Sequence, residues 1–278
     1  MNDDISQVLN SDANVNINSN SNKTVVHDKT TVQVIKQNVQ LRKVAILTGA
    51  SKGIGLALAK RLITLNYKVY GISRSFNDKT YDFKNNVNSE NFIPIGCDIQ
   101  DTEELVRNIK LIIDAEPEIN LLVNNAGVGF FGSHEQLKIK DIQAMIRTNL
   151  EAPLILCNLL LRHLKESKGM ILSISSVTAK KVSTHGCAYA ASKAGLTHFF
   201  TSLFEEVRKS GVKVTTIHPD ITRSNFYDAL NFTCSDEKDT AILDEQIADA
   251  VEYVLSNSYN IVVNDITLRP QKNRIKRK

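Results

Sequence analysis

The 278-residue chain has only four cysteines, Cys97, Cys157, Cys187 and Cys234, and no two are spaced as CxxC. A disulfide framework or a zinc site is not expected, and the thiols are read as buried or free. The six histidines show neither HxH nor HExxH spacing, so no metal site is expected. No apolar run approaches the ~20 residues that span a bilayer. The longest worth testing, Ala152–Leu161, contains Asn158 and is closed by Glu151 and Arg162. The N-terminus, Met1–Asp4, is polar and acidic and leads into no apolar segment, so neither a secretory signal nor a lipid anchor is expected. A cytoplasmic protein without a membrane partner is the expectation. A basic face is missing too. The last seven residues, Lys272–Lys278, supply five positive charges to a net charge of +4, which leaves the rest at about −1. Nucleic acid is therefore not an expected partner.

What is present is enough for a sizeable core: 42% of residues are hydrophobic and 23% charged. Residues 1–40 stand apart. Asn10–Asn22 is mostly Asn and Ser and cannot bury enough surface to fold, so this part is read as a disordered tail. The folded domain is expected over 41–271, followed by a solvated basic end at 272–278. Short apolar runs at Val44–Leu47, Lys68–Ile72, Phe92–Gly96, Leu121–Val123, Met170–Ser173, Lys213–Ile217 and Ile261–Val263 read as strands. Helical patterns at about Ile54–Leu65, Asp141–Leu164, Ala188–Ser210 and Asp244–Leu255 fall between them, with another begun by a capping box at Asp101 and Glu104. This alternation predicts an α/β fold, a single doubly wound parallel sheet with helices on both faces. Such a sheet binds its ligand outside the carboxyl ends of its strands, so functional residues are expected just after strands.

The first such turn is Thr48–Gly55, with Gly49, Gly53 and Gly55 in TGxxxGxG spacing. Glycine permits a sharp strand-to-helix turn and close backbone approach to a pyrophosphate, for which the helix N-terminus offers free N–H groups. At the end of the second strand an acidic residue would favour NAD, and a basic one would accept the 2′-phosphate of NADP. Here Ser73 stands in that place, followed by Arg74, and Lys52 adds a cation from the glycine turn. Both lean toward NADPH. The alternative for Arg74 is a solvated loop residue.

Two further segments combine. Ser176 follows a strand, and Tyr189 and Lys193 lie four apart on one face of a helix. A phenol with its ordinary pKa of about 10 is a poor base at neutral pH, and a neighbouring ammonium is expected to lower it. A serine hydroxyl can polarise the same substrate oxygen.

With these motifs in this order the chain resembles the short-chain dehydrogenase/reductase family over about Arg42–Arg269. The matching positions are the turn Thr48–Gly55, Asp98, Asn124–Gly127, Asn149, Ser176, and Tyr189 with Lys193, the serine and tyrosine being thirteen residues apart. The resemblance implies a Rossmann-type NAD(P)-dependent oxidoreductase acting on a carbonyl or alcohol. It implies Tyr189 as general acid/base, Ser176 as holder of the substrate oxygen, and Lys193 as partner of Tyr189 and of the nicotinamide ribose. Asn149 is implied to hold a relay water. The cofactor is implied to contact Gly49, Ser51, Lys52, Gly53, Ile54, Gly55, Arg74, Asp98, Ile99, Asn125, Ala126, Gly127, Tyr189, Lys193, Pro219 and Ser224. A catalytically silent nucleotide-binding protein of the same fold is the alternative.

The chain departs from the family after the sixth strand. In Pro219–Ser224, Asp220 replaces a usual glycine, Thr222 takes an aliphatic place, and Ser224 stands where threonine is usual. Asp220 is open to two readings, a solvated loop residue or a group that biases substrate choice. The segment within about 220–242, with Phe226, Tyr227, Leu230 and Phe232, is expected to be the substrate lid. Apolar residues on more than one face of the helices carrying Leu154, Ile155, Leu159, Leu160 and Leu161, and Phe199, Phe200, Leu203 and Phe204, point to a homodimer or homotetramer.

Overall fold

Alternate residues of Lys43–Thr48 (β1) face opposite sides of a sheet, and both sides are apolar. Val44 and Ile46 enter one core, Ala45 and Leu47 the other. A strand buried on both faces needs helices on both sides, which a parallel sheet with crossover helices supplies. In the computed structural model, which describes residues 42–82, 86–87, 89–228, 230–257 and 260–278, that is the arrangement. The tail expected over 1–40 lies outside the described residues.

The other long strands are Tyr67–Ser73 (β2), Phe92–Gly96 (β3), Leu121–Asn124 (β4), Met170–Ile174 (β5) and Lys213–Pro219 (β6). Three short strands follow, Thr222–Arg223 (β7), Phe232–Cys234 (β8) and Ile242–Leu243 (β9), then Asp265–Leu268 (β10) and Ile275–Arg277 (β11). Seven of these form one parallel sheet in the order β10-β6-β5-β4-β1-β2-β3. The order reverses at β1, which pairs with β2 on one side and β4 on the other, and a crevice opens there at the carboxyl ends.

Gly53–Thr64 (α1) buries Gly55, Leu58, Ala59 and Leu62, the one-face spacing of an amphipathic helix. It lies beside Asp244–Ser256 (α6), to which Arg61 is tied through Asp249 and Glu252. On the other face lie Thr102–Ala115 (α2), Ala152–Glu166 (α4) and Cys187–Val207 (α5), with Leu105, Ile109, Leu156, Leu160 and Phe200 at the centre of the core. Asp101 accepts a bond from the Glu104 amide at 3.0 Å, but the Glu104 carboxylate accepts from the amide of Asp98 instead of returning to Asp101. The expected capping box is thus half made, and its other half fastens the end of β3.

Three expectations need correction. The long helix is Ile139–Ile146 (α3) joined to α4 through a π turn at Arg147–Glu151, so Asn149 sits in a widened turn. Together these elements, Ile139–Glu166, are long and apolar enough to cross a membrane, although no such run stood out in the sequence. Met145, Leu156, Leu160 and Leu164 are nevertheless buried in the domain. The final strand of the sheet is Asp265–Leu268 and not Ile261–Val263. An edge strand with one open flank follows alternation, as DITL does, and the apolar run is its lead-in, with the Val263 and Asn264 carbonyls held by Thr215 and Thr216. Finally, the basic end is exposed but not free, because Ile275–Arg277 pairs antiparallel with β8. Backbone pairing needs no apolar side chain, which is why composition gave no sign of it.

Phe200 is 1% exposed between α5 and the sheet. Phe200→Ala is expected to destabilise the fold by about 3–5 kcal/mol, measured by urea unfolding with an unchanged m-value.

Candidate active site

The glycine turn is dictated by backbone sterics. Gly49 and Gly53 have φ of +68° and +55°, and a Cβ on Gly55 would stand 1.9 Å from the Gly49 carbonyl oxygen. The first turn of α1 has no side-chain cap, so its N–H groups face the crevice. Across the switch point the Thr48 hydroxyl accepts from the amides of Asn125 and Ala126, both at 3.1 Å. Asn125 Nδ2 in turn donates to the carbonyls of Thr48 (2.9 Å) and Gly49 (3.2 Å). The turn is therefore fixed by Thr48 and Asn125.

Along it runs a cleft of about 380 Å³ that brings together Gly49, Ser51, Lys52, Gly53, Ile54, Gly55, Arg74, Asp98, Ile99, Asn125, Ala126, Gly127 and Ser224. Pro219, Tyr189 and Lys193 belong to the neighbouring cavity. At the end of β2, Ser73 Oγ donates to Ser51 Oγ at 2.8 Å, and Ser75 joins the same group at 3.4 Å. Arg74 lies 3.8 Å from Asp98 and Lys52 lies 4.0 Å from Asp228, all four being substantially exposed. No carboxylate occupies the end of β2 itself.

The second cavity, about 830 Å³, shares Ile54, Asn125, Gly127, Ser224 and Phe226 with the cleft. On its floor, the turn that follows β5 presents Ser176 and α5 presents Tyr189 and Lys193, all buried. Lys193 Nζ donates to the Ile174 carbonyl at 2.9 Å. Thr178 donates twice to Ser176 Oγ, from its amide (3.2 Å) and its hydroxyl (3.0 Å). That leaves the serine's own hydrogen free to point into the cavity that Tyr189 also lines.

Burial pushes the Tyr189 phenol up to about 12, against the lowering effect of Ser176, and pushes the Lys193 ammonium down to about 8. The expected lowering of Tyr189 by its lysine neighbour is thus overturned. Loss of water around each group sets its direction, and the ammonium is directed at the Ile174 carbonyl.

Asn149 is held in place by its side chain. Its side chain accepts from the Val128 amide (2.9 Å) and donates to the Val128 carbonyl (2.8 Å) and Ser192 (3.0 Å). These bonds clasp the segment that follows Gly127 to the π turn.

Aromatic rings close over Tyr189. Phe131 and Phe226 lie 5.3 and 5.7 Å from its ring, and Phe232 lies 5.3 Å from Phe131 and 5.6 Å from Tyr227. Asp220 is no solvated loop residue. Its carboxylate, 8% exposed, receives Lys181 (3.4 Å), Arg269 (3.2 Å) and Asn273 (3.3 Å). It is the knot that joins the loop after β6 to the C-terminal segment.

Three participants escaped the sequence reading. Phe131 follows Asn124–Gly127 closely but has no motif of its own. Thr178 lies two residues after Ser176, a spacing that would have flagged it as a hydroxyl cap. His218, fully buried, donates from Nδ1 to the Ser176 carbonyl at 3.2 Å, and its Nε2 lies 2.9 Å from the Asp265 carboxylate. It supports the Ser176 segment from behind.

Comparison with known proteins agrees with this geometry. The family model described as short chain dehydrogenase matches residues 43–234. An uncharacterized oxidoreductase of Staphylococcus haemolyticus is 30% identical over 229 residues, which cover 82% of this chain and 97% of that protein. A metagenomic short-chain oxidoreductase solved with NADP has 30% identity and a TM-score of 0.70, over 82% of this chain and 97% of that one. An alcohol dehydrogenase from the archaeon Thermococcus sibiricus, solved with 5-hydroxy-NADP, has 24% identity and a TM-score of 0.75, over 84% of this chain and 98% of that one.

Proposed function

The chain belongs to the short-chain dehydrogenase family, and from that premise we propose that it is an NADPH-preferring carbonyl reductase with Tyr189 as its proton donor. The observation that carries the reading is the buried Ser176–Tyr189–Lys193 group on the floor of a cavity continuous with the glycine-turn cleft.

The residues present fit a dinucleotide. Gly49, Gly53 and Gly55 keep the turn clear of side chains, and the uncapped α1 amides suit a pyrophosphate. Gly127 keeps open the space beside Lys193 Nζ and Asn149, from which a Cβ would lie 3.4 and 3.5 Å. Arg74 and Lys52, with the hydroxyls of Ser51, Ser73 and Ser75 beside them, would receive a 2′-phosphate. Two solved relatives hold NADP or a derivative of it, which supports the same preference.

Bound nicotinamide supplies the hydride to the carbonyl carbon. The protein does the rest. Ser176 aims its hydroxyl hydrogen at the carbonyl oxygen because Thr178 occupies its lone pairs. Tyr189, with its pKa held near 12, is protonated at neutral pH and so stands ready to donate to that oxygen. Lys193 is still charged at pH 7 and supplies a positive field where negative charge develops. Asn149, which borders with Lys193 the space that Gly127 keeps open, would hold a water that passes protons from solvent to Lys193. Phe131, Phe226 and Phe232 keep water from the reacting carbon. A silent nucleotide-binding site is favoured only by Asp220, and that carboxylate is taken up by its three donors. The half-buried Leu159, Leu161, Phe199 and Phe204 on α4 and α5 support a homo-oligomer.

Tyr189→Phe is expected to retain NADPH affinity and to lower kcat for ketone reduction by about 10²–10⁴-fold. Stopped-flow and fluorescence titration check this, and unchanged turnover would remove Tyr189 from the chemistry. Arg74→Ala is expected to weaken NADPH by at least ~10-fold, about 1.4 kcal/mol, while leaving NADH affinity nearly unchanged. Equal loss for both cofactors would refute the phosphate clamp.

A further inference from the structure

The C-terminal segment is a wall of the substrate cavity. Lys272 N donates to the Asp239 carbonyl at 2.9 Å, Asn273 reaches Asp220, and β11 pairs with β8 in a fixed register, with Ile275 opposite Cys234 and Arg277 opposite Phe232. Strand alternation then sorts the side chains. Ile275 and Arg277 line the cavity, whereas Lys276 turns away to Asp236 at 2.6 Å.

The charge of this wall is one-sided. Four cationic side chains, Lys181, Lys193, Arg277 and Lys278, line the cavity against one carboxylate side chain, Asp220. Three of the four are engaged. Lys181 meets Asp220, Lys193 meets the Ile174 carbonyl, and Lys278 meets the carbonyls of Tyr227 (2.6 Å) and Asp228 (3.0 Å). The basic neighbours Arg274 and Lys276 are also paired, with Glu237 and Asp236. Among the described residues, Arg277 has no carboxylate within ion-pair distance, and its exposed side chain stands at the rim of an aromatic-walled cavity. A guanidinium in that setting presents a planar fork of donors suited to a carboxylate.

The geometry points to an anionic substrate: a carbonyl compound with a flat apolar body, which packs among Phe131, Phe226 and Phe232, and a carboxylate, which docks on Arg277. Arg277 is a specificity-determining residue carried by the C-terminal strand. This inference rests on the reading of the cavity as the substrate site of a reductase.

The test compares two keto acids, para-acetylbenzoate and benzoylpropionate, with their methyl esters, on the full chain and on Arg277→Gln and Arg277→Lys. NADPH-linked turnover is measured, and in parallel calorimetric binding of each compound to the NADP-loaded protein. At least one acid is expected to exceed its ester roughly tenfold or more in kcat/KM, the scale of one charge-assisted hydrogen bond. Arg277→Gln is expected to abolish that preference by bringing kcat/KM for the acid down to that for its ester, and Arg277→Lys to restore part of it. Preferential binding of an acid, lost in Arg277→Gln, without turnover of any compound would uphold the anion site and overturn the reductase reading. Equal handling of acids and esters, no binding of either acid, or a preference that survives Arg277→Gln would overturn the inference.

Discussion

An ammonium and a phenol placed side by side away from water constrain the rest of this molecule. Burial opposes the charged form of both groups, which is why Lys193 falls to about 8 and Tyr189 rises to about 12. Keeping Lys193 charged at neutral pH costs the fold on the order of 3 kcal/mol. That penalty applies in full below about pH 8 and is relieved as pH rises toward the ordinary lysine range. A destabilised charge stays in place only if its surroundings are fixed. The Ile174 carbonyl takes one of its protons, Ser175 ties β5 to α5 through the Lys193 carbonyl and Thr197, and His218 braces Ser176 from behind. The π turn turns Asn149 toward Val128 and so shapes the channel beside Gly127.

The same logic links the two cavities. The cleft is formed by backbone, kept free of side chains by glycines and held by Thr48 and Asn125, with Arg74 and Lys52 at its far end. The second cavity is formed by side chains, aromatic near Tyr189 and cationic at its rim. Asp220 joins these regions mechanically, because its carboxylate gathers Lys181, Arg269 and Asn273 from three segments. A glycine at that position would leave the C-terminal segment without this anchor.

Local features were legible in the sequence. The glycine turn, the four-residue spacing of Tyr189 and Lys193, and the strand–helix alternation all depend on near neighbours. What escaped the reading depends on partners far along the chain. The direction of the Tyr189 shift is set by how completely the surrounding helices exclude water. Asp220 was open between two readings because its partners Lys181, Arg269 and Asn273 lie about 40 or more residues away along the chain. β11 is a basic tripeptide that pairs through its backbone alone, and β10 was displaced because the apolar run beside it carried the stronger pattern.

The pH dependence of kcat/KM for NADPH-linked ketone reduction reports titration of the free enzyme and so tests this account most directly. With Tyr189 protonated throughout, Lys193 is the group that changes charge. The rate is expected to be level near neutrality and to fall as pH rises through about 8. A rate that stays flat to the ordinary lysine range, or that rises across pH 8, would contradict the claim that a desolvated, charged Lys193 supports the reaction.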